Sequence, residues 1–404
     1  MPTVRPVAAP PVPTALPSDH PAVGAATGLL AGYRPGDRFL ATPTRTLLAQ
    51  GPAAVLPEDG TPLPERVRAA LESARHSGRE RPLVLGAIPF DSSAPAALAV
   101  PAELRTGPPL AADPLIMLPA DPAEELDWQV AEVPTADAYA DAVARAVARM
   151  EAGEAEKVVL ARTLEVSVPG RRPELAPLLR RLARRDPAGY TFALPTGPGR
   201  TLLGASPELL VSRRGGRLIA NPLAGSAPRS ADTAEDVRRA AALLDSPKDL
   251  HEHAVVVAQV REAMAPFAAS IEVPDRPSLV RTAAMWHLST TVTATLADPA
   301  TTALDVALAL HPTPAVCGTS TTAARRIISE LEPFDRGFFT GMVGWQDVTG
   351  DGEWVVTLRC AEAEEGLLRL YAGAGVVPAS DPRAEAAETA AKFRTFLTAV
   401  GAAL

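Results

Sequence analysis

The chain is poor in cysteine, in lysine and in long apolar runs, and each scarcity narrows what it can be. Its 404 residues include two cysteines, Cys317 and Cys360, too few and too scattered for a disulfide framework or a zinc site. A reducing compartment fits, and a cytoplasmic location is expected. No uncharged apolar run approaches membrane-spanning length, so no membrane association is expected. Residues 1–21 are broken by proline every few positions, which rules out a continuous apolar signal segment and predicts an extended, disordered tail. No GxxxxGK[ST] sequence occurs, and the glycines at 373 and 375 lack the third glycine of a dinucleotide fingerprint. The formal net charge is -8 with no long basic stripe, which argues against nucleic acid as a partner. The nearest basic cluster, Arg180, Arg181, Arg184 and Arg185, alternates with leucines and reads as the solvated face of an amphipathic helix.

Lysine is confined to Lys157, Lys248 and Lys392, while arginine supplies every other basic position. A chain that uses arginine nearly everywhere keeps lysine where a compact, deprotonatable ammonium is needed. The stretch from Tyr371 to Lys392 shows such a use. Gly373 and Gly375 leave successive positions on one face of a strand without side chains, so a ligand can lie against the backbone. Asp381-Pro382 then starts a helix capped by Ser380 or Asp381. In it Glu385, Glu388 and Lys392, at i, i+3 and i+7, share a face that looks back at the bare strand. The competing reading is an ordinary surface pair of Glu388 with Lys392.

With 47% hydrophobic residues the chain can bury a substantial core. Residues 22–133 read as mixed α/β scaffold, with strands in Phe39–Gly51 and Pro82–Phe90 around a helix from Glu65 to His76. Residues 134–404 carry the chemistry, without a linker that proves a domain boundary, and one domain over 22–404 is expected. Tyr139 to Glu151 is an amphipathic helix closed by Gly153. It leads into the strand Lys157–Val166, where Lys157 is either a snorkelling edge residue or, if drawn inward, a general base. Thr201–Arg229 reads as a hairpin whose first strand contains Glu208, either outward-facing or a buried acid. Asp245–Phe267 reads as one long helix with an acidic opening, and Met285–Leu296 as one strand containing His287. His251 and His253 lack the i,i+4 spacing of a zinc site. Gly318 and Thr319-Ser320 open a helix to Glu332 whose free N–H groups suit an anion. The segments Gly341–Asp347, Glu353–Glu364 and Gly366–Val377 read as an antiparallel meander, which excludes a purely parallel sheet.

The blocks KVVLAR, GASPELL, PLAGSAPR, KDLHEH, MWHLST, HPTPAVCG, LRCAE and YAGAGVVPASDP occur in an order that resembles the chorismate-utilising enzymes, and within them the isochorismate synthases of siderophore pathways. The resemblance covers roughly Tyr139 to the C-terminus, and more weakly YRPGDRFLATPTRTLLAQG in the opening half. It implies an α/β fold of two facing antiparallel sheets with helices outside and the site in the cleft between them. It implies chorismate as substrate and Mg²⁺ as cofactor, held by Glu252 and Glu388 with Glu385 close by, consistent with the preference of Mg²⁺ for few carboxylates and several waters. By the same resemblance Lys157 activates water for attack at C2 and Glu208 protonates the departing C4 hydroxyl. Arg359, Lys392 and the backbone at Gly373 and Gly375 resemble the groups that hold the substrate carboxylates, with His287 and Ala315 beside them. Neither a glutamine amidotransferase subunit nor an obligate interface is implied, so a monomer is expected. Two other readings stay open, an amine-transferring or salicylate-forming relative and a silent binding protein. Against the first stands Ala315, where those relatives resemble one another in carrying threonine; against the second, the intact set of Lys157, Glu208, Glu252 and Glu388.

Overall fold

The computed structural model describes residues 23–120 and 122–402; the expected tail over residues 1–21 lies outside them. The N-terminal part contains α1 (Ala25–Ala31), β1 (Arg38–Ala41), β2 (Thr46–Val55), α2 (Leu63–His76), β3 (Leu83–Ile88), β4 (Ala97–Gly107) and β5 (Gln129–Val133). Next come α3 (Ala136–Glu151), β6 (Lys157–Ser167), α4 (Leu175–Arg185), β7 (Tyr190–Gly197), β8 (Arg200–Ser206), β9 (Leu209–Arg214), β10 (Arg217–Asn221) and β11 (Leu223–Pro228). They are followed by α5 (Thr233–Asp245), α6 (Pro247–Met264), β12 (Ala268–Glu272), β13 (Ser278–Arg281), β14 (Met285–Ser289), β15 (Val292–Leu296) and α7 (Ala303–Leu310). The chain closes with β16 (Gly318–Thr319), α8 (Thr321–Leu331), β17 (Met342–Asp347), β18 (Gly352–Val356), β19 (Cys360–Glu364), β20 (Leu367–Val376) and α9 (Pro382–Val400).

Seventeen of these strands form one antiparallel ladder. Its path is β12–β15–β10–β9–β18–β17–β3 in one limb, then β4–β2, then β1–β7–β8–β19–β20–β6 in the other, with β5 and β16 on the outer edge of β6. The ladder must curl. β8 and β9 are consecutive in the chain yet lie in opposite limbs, and so do β18 and β19. The expected pair of separate facing sheets is therefore, among the described residues, one continuous hydrogen-bonded network. Inside the curl, Leu85, Val343 and Val355 of one limb and Leu40, Phe192 and Leu202 of the other share a core. Outside it, α1, α4 and α9 cover one limb and α2, α6 and α7 the other. β11, β14 and β13 make a separate three-stranded sheet.

Three expected elements are interrupted. The strand through Glu208 breaks at Pro207-Glu208, because a proline without an N–H ends a ladder. The helix expected over Asp245–Phe267 does form, as α6 with a 3₁₀ turn at Ala265–Phe267; Ser246 caps it through Asp249 N–H, Pro247 lies in its first turn, and only Asp245 falls outside it, as the last residue of α5. The strand expected over Met285–Leu296 is β14 and β15, in different sheets. The middle strand of the expected meander is β18 and β19, separated by Thr357–Arg359, where Arg359 has a left-handed φ of 47°. Periodicity did not reveal these breaks because both halves of each element are buried on the same pattern.

Candidate active site

The two chain crossings between the limbs lie side by side. Glu208 O accepts from Val356 N–H at 3.1 Å and Arg359 O from Ala205 N–H at 3.2 Å, while Ser206 Oγ donates to Val356 O at 2.6 Å. Where the strands leave the ladder, Glu208 and Arg359 turn into one cavity. Its wall also holds Lys157, Lys248 and Lys392, so all three lysines of the chain line it. Glu252, Glu385, Glu388, His287, Ala315, Gly373 and Gly375 complete the set expected from the sequence. The fold brings every one of those residues together.

Lys157 opens β6 and is 6% exposed, which removes the snorkelling reading. Its Nζ lies 2.6 Å from Glu252 Oε1, contributed by the second turn of α6. Gly375 permits this contact, since a Cβ there would stand 3.0 Å from Lys157 Cε and 3.3 Å from Glu252 Oε1. The wall behind Lys157 is held by a buried ion pair. Arg336 and Glu332 pair through Nε and Oε2 at 2.8 Å; Arg336 also donates to Val159 O and Val316 O, and Glu332 accepts Ala161 N–H. These two side chains supply β6 with edge hydrogen bonds in the gap between β16 and β5.

Glu208 is 3% exposed, so it is the buried acid of the two readings left open. Burial pushes its carboxyl up to about 7, against the opposing pull of the Leu223 N–H, Arg359 and Lys157. Such a group is protonated below neutrality and can donate a proton there. His287 is held neutral by burial and by the charges of Arg359 and Lys392, which carry its pKa well below the ordinary value. Arg359 can only donate, so its 3.4 Å contact assigns Nε2 of His287 as acceptor and leaves Nδ1–H to donate to Ser226 Oγ at 2.8 Å.

The α9 face forms as its spacing predicts. Asp381 is the cap, accepting from Ala384 N–H at 2.8 Å, and Pro382 occupies the first turn. Phe393, Phe396, Leu397 and Val400 anchor the helix in the core, at about 1.5–3 kcal/mol for each large apolar side chain. Lys392 Nζ bridges Glu388 Oε1 and Gly373 O, each at 2.7 Å, so the charged face does look back at the glycine strand. Burial disfavours charge on Glu388, but Lys392, Arg359 and Lys248 outweigh it and hold the carboxyl below the usual range. Glu385 is raised by burial and by the neighbouring charge of Glu388.

Among the described residues no group of three or more His, Cys, Asp or Glu side chains is gathered closely enough to hold a metal by itself. Glu252 is paired with Lys157 and Glu388 with Lys392. The donors nonetheless fit Mg²⁺: they are all oxygen, they come from two helices facing one cavity, and the mutual repulsion of Glu385 and Glu388 is what a cation relieves. Tyr371 and Phe339, stacked with ring centroids 5.1 Å apart, also line the wall, as does Lys248. Sequence reasoning missed both aromatics as site residues, since each reads as ordinary core; the scarcity of lysine was the signal for Lys248.

The model of the chorismate binding enzyme family matches residues 117–401. The chain is 52% identical over 391 residues to Isochorismate synthase DhbC of Bacillus subtilis (strain 168), covering 92% of this chain and 96% of that one. It is 42% identical over 369 residues to the Vibriobactin-specific isochorismate synthase of Vibrio cholerae, covering 90% and 91%. The crystal structure of a putative 2,3-dihydroxybenzoate-specific isochorismate synthase, DhbC from Bacillus anthracis, superposes with a TM-score of 0.86 at 46% identity, covering 94% of this chain and all of that one. With the fold, the ordered sequence blocks and these likenesses in agreement, the chain belongs to the chorismate-binding enzyme family.

Proposed function

We propose that the protein is an isochorismate synthase, converting chorismate to isochorismate by adding water at C2 and expelling the C4 hydroxyl. One observation carries the chemistry: a carboxyl held protonated near neutrality, Glu208, faces the same cavity as the buried amine of Lys157. Lys157 takes the proton of the attacking water, and Glu208 gives one to the C4 oxygen, which departs as water while the double bonds shift. Atoms balance without an oxidant. Each turnover leaves a proton gained on Lys157 and lost from Glu208, and exchange with solvent through the exposed mouth near Lys248 restores both. Arg359 offers two parallel N–H groups to one substrate carboxylate, and Lys392 with the backbone at Gly373 and Gly375 receives the other. His287, kept neutral, holds Arg359 without competing for an anion.

Glu252 and Glu388 would hold Mg²⁺ in this reading, with Glu385 beside them on the same cavity wall. The ion supplies neutralising charge for a substrate carboxylate. The cleft between the two limbs of the curled ladder is the substrate chamber, and residues 22–404 act as one domain, with 22–133 as scaffold and 134–404 carrying the site. The enzyme works as a cytoplasmic monomer without an amidotransferase subunit and feeds a dihydroxybenzoate-type siderophore pathway, as the names of its relatives suggest. Among the described residues no helix is long and apolar enough to cross a membrane.

The test is incubation with chorismate and Mg²⁺ followed by chromatographic identification of the product. Isochorismate is expected. Salicylate, anthranilate in the presence of ammonium, or unchanged chorismate would each overturn the assignment.

A further inference from the structure

Beneath the site lies a buried cation that the chemistry above does not use. Arg162, on β6, is 1% exposed. Its Nε donates to Thr389 Oγ1 at 2.8 Å and its Nη2 to Ala386 O at 3.5 Å, while Nη1 stands 3.2 Å from a carboxylate oxygen of Glu132. Its guanidinium carbon lies 5.4 Å from the centroid of Phe393 and 5.9 Å from that of Tyr139, whose hydroxyl donates to Leu160 O. Thr389 donates in turn to Ala386 O at 2.8 Å, so the acceptors that hold Arg162 are themselves fixed.

The sequence positions matter more than the number of contacts. Ala386, Thr389 and Phe393 each follow a site residue by one position: Glu385, Glu388 and Lys392. They form the adjacent face of α9, about 100° around the helix. A rigid, planar guanidinium bound at this face fixes both the rotation of α9 about its axis and its height on β6. Side chains extend about 5–6 Å from a helix axis, so a turn of roughly 20° would move the Glu385 and Glu388 carboxylates by about 2 Å. A displacement of that size is enough to spoil a cation or substrate contact.

We propose that Arg162 is the positioning residue of the α9 carboxylate face, setting where Glu385 and Glu388 meet a divalent cation. This rests on the reading of Glu388 as a cation ligand. Arg162 touches neither substrate nor cation, and it acts through its contacts with Ala386, Thr389 and Phe393 of α9. Arg162→Lys keeps the charge and loses the fork; Thr389→Val removes one acceptor of Arg162 together with the hydroxyl's own bond to Ala386 O.

Binding of Mg²⁺ by calorimetry, and of Mn²⁺ by electron paramagnetic resonance, reads the effect without turnover. Arg162→Lys is expected to weaken cation binding by about ten- to a hundredfold, the usual cost of losing a group that orients a ligand, and Thr389→Val less. Turnover at saturating cation is expected to stay within about threefold of the parent, and chorismate KM there within about twofold. Hydrogen exchange is expected to accelerate in residues 382–390 and not across the ladder. Unchanged cation binding in both folded variants overturns the proposal. So does a uniform loss of turnover, substrate affinity and cation binding that tracks the fraction folded, because that is a general structural role. Should Arg162→Lys fail to fold, Thr389→Val decides alone. Undisturbed cation binding in Glu388→Gln refutes the underlying ligand reading instead, and the proposal with it.

Discussion

Glu208→Gln is expected to inactivate the enzyme and stabilise it at the same time. The folded protein holds the Glu208 carboxyl at about 7 against an ordinary value of 4.5. At about 1.36 kcal/mol per pH unit, that displacement corresponds to about 3 kcal/mol. Its sign follows from proton binding: between pH 4.5 and about 7 the folded state keeps a proton that the unfolded state has released. The contribution of Glu208 to stability is therefore fullest at and below pH 4.5, declines as the pH rises towards 7, and is lowest above it. Glutamine does not titrate, and its carbonyl oxygen can still accept the Leu223 N–H. Urea unfolding of parent and variant from pH 5 to pH 8.5 should show the two curves diverging in the variant's favour by up to about 3 kcal/mol, less whatever the amide forfeits in fit. Subtracting the two profiles removes the other titrating groups. Turnover should fall by about a hundred- to ten-thousandfold, as when a general acid is removed. In the parent, activity should decline as the pH rises through about 7, where Glu208 loses its proton. A stability difference that stays flat across the pH range would refute the reasoning, and retained turnover in the variant would remove Glu208 as the acid.

Lys157→Ala should lower turnover by about a hundred- to ten-thousandfold with chorismate affinity retained; weak binding with normal turnover at saturation would make Lys157 a binding residue. Glu388→Gln should abolish Mg²⁺-dependent turnover while the protein stays folded, with a milder loss for Glu385→Gln, and full activity of Glu388→Gln at ordinary Mg²⁺ would remove it as a ligand. Gly375→Ala places a methyl 3.0 Å from Lys157 Cε and 3.3 Å from Glu252 Oε1, so turnover should fall at least tenfold with a melting temperature near that of the parent; unaltered kinetics would show that the pair yields freely. Ala315 lines the cavity, and Ala315→Thr adds a hydroxyl there that can orient a nucleophile. Its ratio of amino product to isochorismate should rise across an ammonium titration, and an unchanged ratio would place nucleophile choice elsewhere.

Local patterning by itself determined the start of α9 at Ser380-Asp381-Pro382, though not which of the first two caps it, the shared face of Glu385, Glu388 and Lys392, the glycine strand opposite it and the antiparallel character of the ladder. Those features depend on residues within a few positions of each other, where the helical and strand repeats act directly. Scarcity was informative too, since the three lysines that the arginine-rich chain retained all face one cavity. Tertiary structure alone decided whether Glu208 and Lys157 point inward, because burial is a property of what packs above a residue and not of its neighbours in sequence. It also decided the breaks at Pro207-Glu208, Thr290-Thr291 and Thr357–Arg359. Apolar patterning runs through each of them, and the second half of each element pairs with the other limb or with a different sheet because the ladder curls, with the missing N–H of Pro207 adding a local cause at the first. Two of those departures carry Glu208 and Arg359 out of the ladder, and so the curl that closes the core also opens the site.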